Sequence, residues 1–332
     1  MRKKLTIFFL SSLLCSICAA RGTLGRELEE EKYLRDCVSF LCDSLCDGRA
    51  SGTRGNAVAA FQIVREFSGA SLKPMQTGSY SQSFALGRDS LYGHNIVGML
   101  ENSTKKHARS YIIVGAHYDA LGSMDGSLYP GADSNASGVA ALLCAARLMR
   151  EQRAQGVCYA SSIIFVCFDA FNMGRKGSLA FWDALRRGLL KDPTTGEAIR
   201  PSRIRLMIDL DQMGSSLCPL PSGRPDFLMA IGQGSIGAPL RGALQRSNAR
   251  SDVSLELSDS YYGSTSFTQA FYRLGDRRIF IDNHIPTLYL TSGITDLTNC
   301  PADAPSSLDY PVLHRRTLLL YSFLAEAASL AQ

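Results

Sequence analysis

From residue 27 to residue 45 acidic and apolar positions alternate at helical spacing, and Gly48-Arg49-Ala50-Ser51-Gly52-Thr53 breaks the run. Asn56 to Phe67 resumes it, with Val58, Phe61, Val64 and Phe67 forming one apolar stripe, and predicts an amphipathic helix. Residues 81–86 and 95–100 read as strands. Tyr111 to Gly115 is a short unbroken apolar run, the pattern of a central strand buried on both faces. Residues 162–168, 204–210, 227–231 and 286–290 read as further strands, and residues 138–149, 179–190, 239–248 and 310–330 as helices. Asp192 to Pro201 is a polar excursion with Pro and Gly. Strands alternating with helices predict a three-layer α/β/α sandwich around a mixed, mostly parallel central sheet. There is no internal repeat and no long linker, so residues 21–332 are expected to form a single domain.

Composition narrows this picture at the amino end. Met1-Arg2-Lys3-Lys4 and the apolar stretch from Leu5 to Ile17, followed by Cys18-Ala19-Ala20, have the form of a secretory signal peptide over residues 1–20. The stretch is too short to span a bilayer stably. The residues before Cys15 and Cys18 fit a lipoprotein site poorly, so an exported periplasmic or extracellular chain without a lipid anchor is expected. Lys and Arg number 35 against 30 Asp and Glu, and without Arg2, Lys3 and Lys4 the formal charge falls from +5 to +2. That balance gives no reason to invoke nucleic acid or an anionic membrane. Eight of the ten cysteines lie beyond Ala20. Cys167 on an apolar strand and Cys144 on an Ala-rich helix are expected as free buried thiols. Cys37, Cys42 and Cys46 lack zinc-site spacing and are expected in the core, with a local bridge as the alternative.

The candidate chemistry lies where strands end. His117 and Asp119 follow one strand, Asp169 a second, Asp211 a third, and residues 291–301 a fourth. In open α/β sheets the carboxyl ends of strands form the ligand crevice. The His117/Asp119 spacing suits a carboxylate that orients an imidazole. Asp133 sits in a Gly-rich loop opening a helix, with Asn135 or Ser137 able to cap it, and a carboxylate there could bridge two metals. Asp211 would complete a His/Asp/Asp set suited to zinc. Each residue also has a plain structural explanation: Asp133 as a cap, His117 as a satisfied histidine, Asp211 as a turn residue. On pattern alone the two readings stand level.

Motifs tip the balance. Gly115-Ala116-His117-Tyr118-Asp119, then Gly131-Ala132-Asp133-Ser134-Asn135-Ala136-Ser137-Gly138, then Met207-Ile208-Asp209-Leu210-Asp211-Gln212-Met213-Gly214, resemble the secreted zinc aminopeptidase family. That family also contains animal-type glutaminyl cyclases and the peptidase-like domain of transferrin receptor. The likeness covers nearly all the mature chain and extends to Gly48-Arg49, Gly52-Thr53-Arg54-Gly55-Asn56, Phe165 to Asp169, and Pro301-Ala302-Asp303. It implies a zinc-exopeptidase fold, with His117 and Asp211 on a first zinc, Asp133 bridging to a second, and Asp119 orienting His117.

The departures are concentrated in the same site. The resemblance puts a general base at Phe171, a second-zinc ligand at Asn172 and a last metal ligand at Asn299. A phenyl ring accepts no proton, and a neutral amide is a weak zinc ligand. Glutaminyl cyclases use one zinc, on positions matching Asp133, Asn172 and Asn299, so that activity is harder still to support. Asp169 and His284 are the candidate substitutes. The expectation is therefore an exported, catalytically impaired or inactive metallopeptidase relative. It would hold at most one zinc and use its crevice for a peptide or protein partner. The alternative is an active metallo-exopeptidase, releasing N-terminal amino acids with one zinc or substitute ligands.

Overall fold

The computed structural model describes residues 24–87, 90–103 and 109–330; the leader expected over residues 1–20 lies outside them. The chain opens with helix α1 over residues 24–41, a 3-10 turn at Ser44–Arg49, and helix α2 at Arg54–Gly69, whose Thr53 hydroxyl caps the Asn56 amide. Strands follow at Lys73–Pro74 (β1), Ser81–Ala85 (β2), Tyr92–Leu100 (β3) and Tyr111–His117 (β4), then a small hairpin of Gly122–Met124 (β5) and Ser127–Tyr129 (β6). Helix α3 spans Gly138–Ala154, strand β7 Ser162–Phe168, helix α4 Lys176–Arg186 and strand β8 Ile204–Leu210. Next come strand β9 at Phe227–Ile231, helix α5 at Ala238–Asn248 and strand β10 at Glu256–Ser258. Two short helices, α6 at Thr265–Tyr272 and α7 at Arg278–Asp282, precede strand β11 at Thr287–Thr291, and helix α8 at Tyr310–Ser329 closes the chain.

Nine strands form one sheet in the order β1-β3-β7-β4-β8-β11-β9-β10, with β2 also paired to β3. Its centre, β7-β4-β8-β11, is parallel, while β3 and β9 join antiparallel. This is the expected mixed, mostly parallel sheet. Every residue of β4 and β7 is buried, as the unbroken apolar runs imply. One core cluster packs α1, α2, α3 and α8 on the sheet, and a second packs α4 and α7. No helix among the described residues is long and apolar enough to cross a membrane. All eight described cysteines are free; Cys144, Cys167 and Cys46 are buried, while Cys37 and Cys42 are half-buried against the core.

The register places the chemistry. His117 pairs across β4 and β7 with Phe168, and Gly115 pairs across β4 and β8 with Asp209. The residues that leave these three strands, at 117–119, 169–172 and 211–214, therefore emerge side by side at their carboxyl ends.

Candidate active-site crevice

His117 lies at the end of β4, 2% exposed. Its Nδ1 sits 3.0 Å from the Asp119 carbonyl, an acceptor, so Nδ1 carries a proton and donates. The Asp119 carboxylate is 3.6 Å from Nδ1, and on the other side Asp211 Oδ1 is 3.7 Å from Nε2. Burial opposes a charge on His117, but the Asp119 and Asp211 carboxylates outweigh it and raise the imidazole well above its usual range. Burial likewise pushes Asp211 up, yet facing His117 and the Arg277 guanidinium hold it below the carboxylate range.

The carboxylate of Asp119 was expected to orient His117, but its main bonds run elsewhere. Oδ1 accepts from the Phe171 amide at 3.0 Å, and Oδ2 accepts from the Asn172 amide and from Asn172 Nδ2, both at 3.1 Å. The imidazole Nδ1 faces both the backbone carbonyl and the carboxylate of Asp119, at 3.0 and 3.6 Å. The side chains on this turn are the unexpected ones. The Phe171 ring stacks on the His117 imidazole with centroids 4.1 Å apart and planes 9° off parallel.

Asp133 is held in the loop before α3. Its Oδ1 accepts from the Gly214 amide at 2.6 Å and from the Ser137 hydroxyl at 3.0 Å. A Cβ at Gly214 would come within 2.6 Å of the Leu308 side chain and 2.9 Å of that oxygen, so glycine alone fits there without a shift. Burial, then the charge of Asp303, push the Asp133 carboxyl up to about 7, against the Gly214 and Ser137 hydrogen bonds. Asn135, rather than Ser137, caps α3, accepting from the Gly138 amide at 3.2 Å.

Other expected residues are placed as follows. Asn299 is exposed, on a turn with positive φ between Thr298, bonded to Gln212 Nε2 at 3.1 Å, and Asp303. Asp303 accepts from the Asp133 amide at 2.7 Å and the Ser134 amide at 3.0 Å, so the segment expected to close the site borders it. Asp169 is not free to substitute for a ligand. Its oxygens accept from Ser51 Oγ, Asn56 Nδ2, and the amides of His94 and Ala170 at 2.7–3.1 Å. His284 is exposed on the turn leading into the amino end of β11, the end of the strand opposite Asp211. Tyr118 and Tyr289 are buried, with Tyr118 Oη bonded to the His94 carbonyl and Tyr289 Oη to the Asp211 carbonyl.

Sequence reasoning missed the support under Asp211. Arg277 Nη1 donates to Asp209 at 2.8 Å, and the guanidinium carbon lies 3.3 Å from the centre of the Tyr289 ring. The signal available was a charged residue, Asp209, inside an apolar strand, which demands a buried partner.

Donor chemistry can be tested against zinc. His117 Nε2 and Asp133 Oδ2 are buried without a hydrogen-bond partner among the described residues, as unligated donors would be. Yet no group of three or more His, Cys, Asp or Glu closes to metal-holding distance among the described residues. Asn172 is tied to Asp119, and Phe171 offers no donor. The residues do not fit a two-zinc centre, and for a single ion the close donors are His117 and Asp211, with Asp133 apart.

A model of peptidase family M28 matches residues 95–324, well over half of the 332-residue chain. The chain belongs to peptidase family M28. Solved structures agree on the fold. BSAP, a zinc aminopeptidase from Bacillus subtilis, is 14% identical with a TM-score of 0.66, covering 91% of this chain and 95% of that one. A Fimbriiglobus ruber glutaminyl cyclase is 18% identical at a TM-score of 0.65, covering 89% and 95%. LapA aminopeptidase from Legionella pneumophila is 16% identical at 0.64, covering 92% and 76%. No curated protein matches the chain. The segment matched by the family model spans β4, the loop that carries Asp133, the 171–172 turn and Asp211.

Proposed function

We propose that this M28 member is exported, that its hydrolytic activity is lost or strongly impaired, and that its strand-end crevice binds a peptide or protein partner. One observation carries the reading: the 171–172 turn presents a phenyl ring stacked on His117 and an amide bonded to Asp119, where the resemblance calls for two carboxylates. Removing a general base alone typically costs about 10²–10⁴-fold in rate. The basic and apolar start of the chain supports export, and the near-balanced charge supports neither nucleic acid nor an anionic surface as partner. Zinc at a stoichiometry of at most one is proposed, with His117 and Asp211 as donors and Asp133 as the third.

The alternative, an active metallo-exopeptidase with one zinc, has one observation in its favour: the unpartnered His117 Nε2 and Asp133 Oδ2. Metal analysis and aminoacyl chromogenic substrates separate the two. The purified protein is expected to hold no more than one zinc, removable by mild chelation, and to show no turnover above background in excess zinc. Robust turnover abolished by His117→Ala would overturn the proposal, as would calorimetry showing two tight zinc sites.

A further inference from the structure

The crevice occupies the carboxyl ends of the central strands, and a second feature lies at their amino ends. Strand β3 runs antiparallel to β7, with Leu100 opposite Ile163, and β4 starts beside β7 with Tyr111 opposite Ser162. Glu101, just past β3, therefore sits at the end of the sheet away from His117. Two cavities open there and share Lys73 as a common wall. The larger, about 500 Å³, runs between the β1–β2 turn and the segment after α4, over Pro74, Met75, Leu189 and Pro193. The smaller, about 330 Å³, lies between the end of β3 and the last turn of α3, and Glu101, Arg150 and Arg153 line it.

Charge in this groove does not balance. Each cavity has one carboxylate on its wall, and both are committed. Glu101 accepts from Lys73 Nζ at 2.6 Å, Thr194 Oγ1 at 2.8 Å and Arg153 Nη2 at 3.3 Å. Burial pushes its carboxyl up, but Lys73, Thr194 and Arg153 outweigh that and hold it below the usual range. Asp192 accepts from Arg109 Nη1 at 2.7 Å, Tyr111 Oη at 2.9 Å and the Thr194 amide at 2.8 Å. Against these two stand Lys73, Arg109, Arg153, Arg150 and Lys191, and the last two are exposed and make no ion pair among the described residues. The carboxyl end of α3 adds only roughly half an elementary charge of negative sign, too little to cancel the surplus. The chain as a whole is close to neutral once the basic residues of its leader are set aside, so the surplus is local.

We propose that this groove docks an acidic segment of a protein partner, with Lys191 and Arg150 as its free cations and the apolar floor of the larger cavity taking intervening apolar side chains. Charge complementarity selects the occupant. The two uncommitted cations belong to different cavities on either side of Lys73, so one small anion cannot answer both, whereas an extended segment can. Neither cavity has an aromatic wall on which a nucleobase could stack. Recessed pockets of this size suit side chains, while a bilayer surface would meet only the rim. The groove is separate from the crevice and does not rest on the function proposed for it.

The test titrates the blocked peptide acetyl-Glu-Leu-Glu-Glu-Leu-Glu-amide into the purified protein by calorimetry, beside the same peptide with Lys in place of Glu. Saturable binding of the acidic peptide is expected, weakened about threefold by Lys191→Glu or Arg150→Glu and about tenfold by the two together. Both positions are exposed, and thermal melts verify that the variants fold. Raising salt from about 0.05 M to about 0.5 M should weaken the binding by a further factor of about ten. Dependence on Lys191 and Arg150 places the peptide in this groove rather than in the crevice at the other end of the sheet. Absence of saturable binding, binding unchanged in the double variant, or the lysine peptide binding as tightly would overturn the proposal. So would sedimentation with phosphatidylglycerol vesicles that the double variant abolishes while the peptide fails to bind, which would assign the groove to an anionic membrane instead.

Discussion

An aspartate can serve its site through backbone and side chain at once, and Asp119 does: its carbonyl accepts a hydrogen bond from His117 Nδ1 while its carboxylate grips the next loop. The two-residue spacing revealed the partnership with His117 but not which atoms make it, because spacing carries no side-chain rotamer. The replacements expected at Phe171, Asn172 and Asn299 rest on the flanking motifs, which align those positions with the family pattern. Reversing them is a direct trial. Phe171→Glu alone is expected to recover little hydrolysis, whereas Phe171→Glu with Asn172→Glu and Asn299→His should raise zinc stoichiometry by one, read by metal analysis, with weak turnover. Asp276, buried in the link between α6 and α7, offers a test through pH. Burial and then the Asp209 carboxylate raise its folded carboxyl from 3.8 to about 7, so the fold binds its proton more tightly than the unfolded chain does. That contribution is fully present below about 3.8 and is lost as pH rises through 7. Asp276→Asn removes the penalty, so its melting temperature should exceed the parent's at pH 8 and converge with it near pH 4.

Elements were legible where the apolar pattern was unbroken. Strands β7, β8 and β9 begin and end at the residues expected, because each is a largely apolar run, Arg205 and Asp209 of β8 excepted, edged by polar residues. Helix α3 runs on to Ala154, past the expected end at Met149, since its last turn is polar and partly exposed. Helix α4 starts three residues before the expected Leu179 and ends at Arg186. The β5–β6 hairpin and helices α6 and α7 went unseen, being too short to display a period. Asp169 was a candidate ligand from sequence, and at this scale it is a junction instead: it binds Ser51, Asn56 at the start of α2, and the backbone of β3. Asp169→Ala strands those buried donors and should lower stability by about 3 kcal/mol or more in urea melts, leaving zinc content unchanged. A fall in zinc without a fall in stability would return Asp169 to the metal.

At the scale of the whole molecule, the first and last helices are joined by a buried pair that no local pattern announces: Glu30 of α1 and His314 of α8, 2.8 Å apart. Burial pushes the Glu30 carboxyl up, but His314 and Arg26 outweigh it and hold it below 4.5. Here the sign is opposite to that of Asp276: the contribution stands above 4.5 and is lost as pH falls through the lowered folded value. Glu30→Gln should therefore melt below the parent at neutral pH and lose less on acidification, measured by thermal melts from pH 7 to pH 3. The overall topology was legible because strand–helix alternation leaves few ways to wind a parallel sheet. The long-range pairs were not, since nothing in a chain marks which buried charge answers another.

The grip of Asp119 on the amides of residues 171 and 172 has an evolutionary corollary. Two of the three bonds that set the loop's path come from the main chain, so the path does not depend on the side chain at 171 and only in part on that at 172. Substitutions at this turn can therefore change what the crevice presents while the scaffold stays in place, a matter of codons rather than of folds.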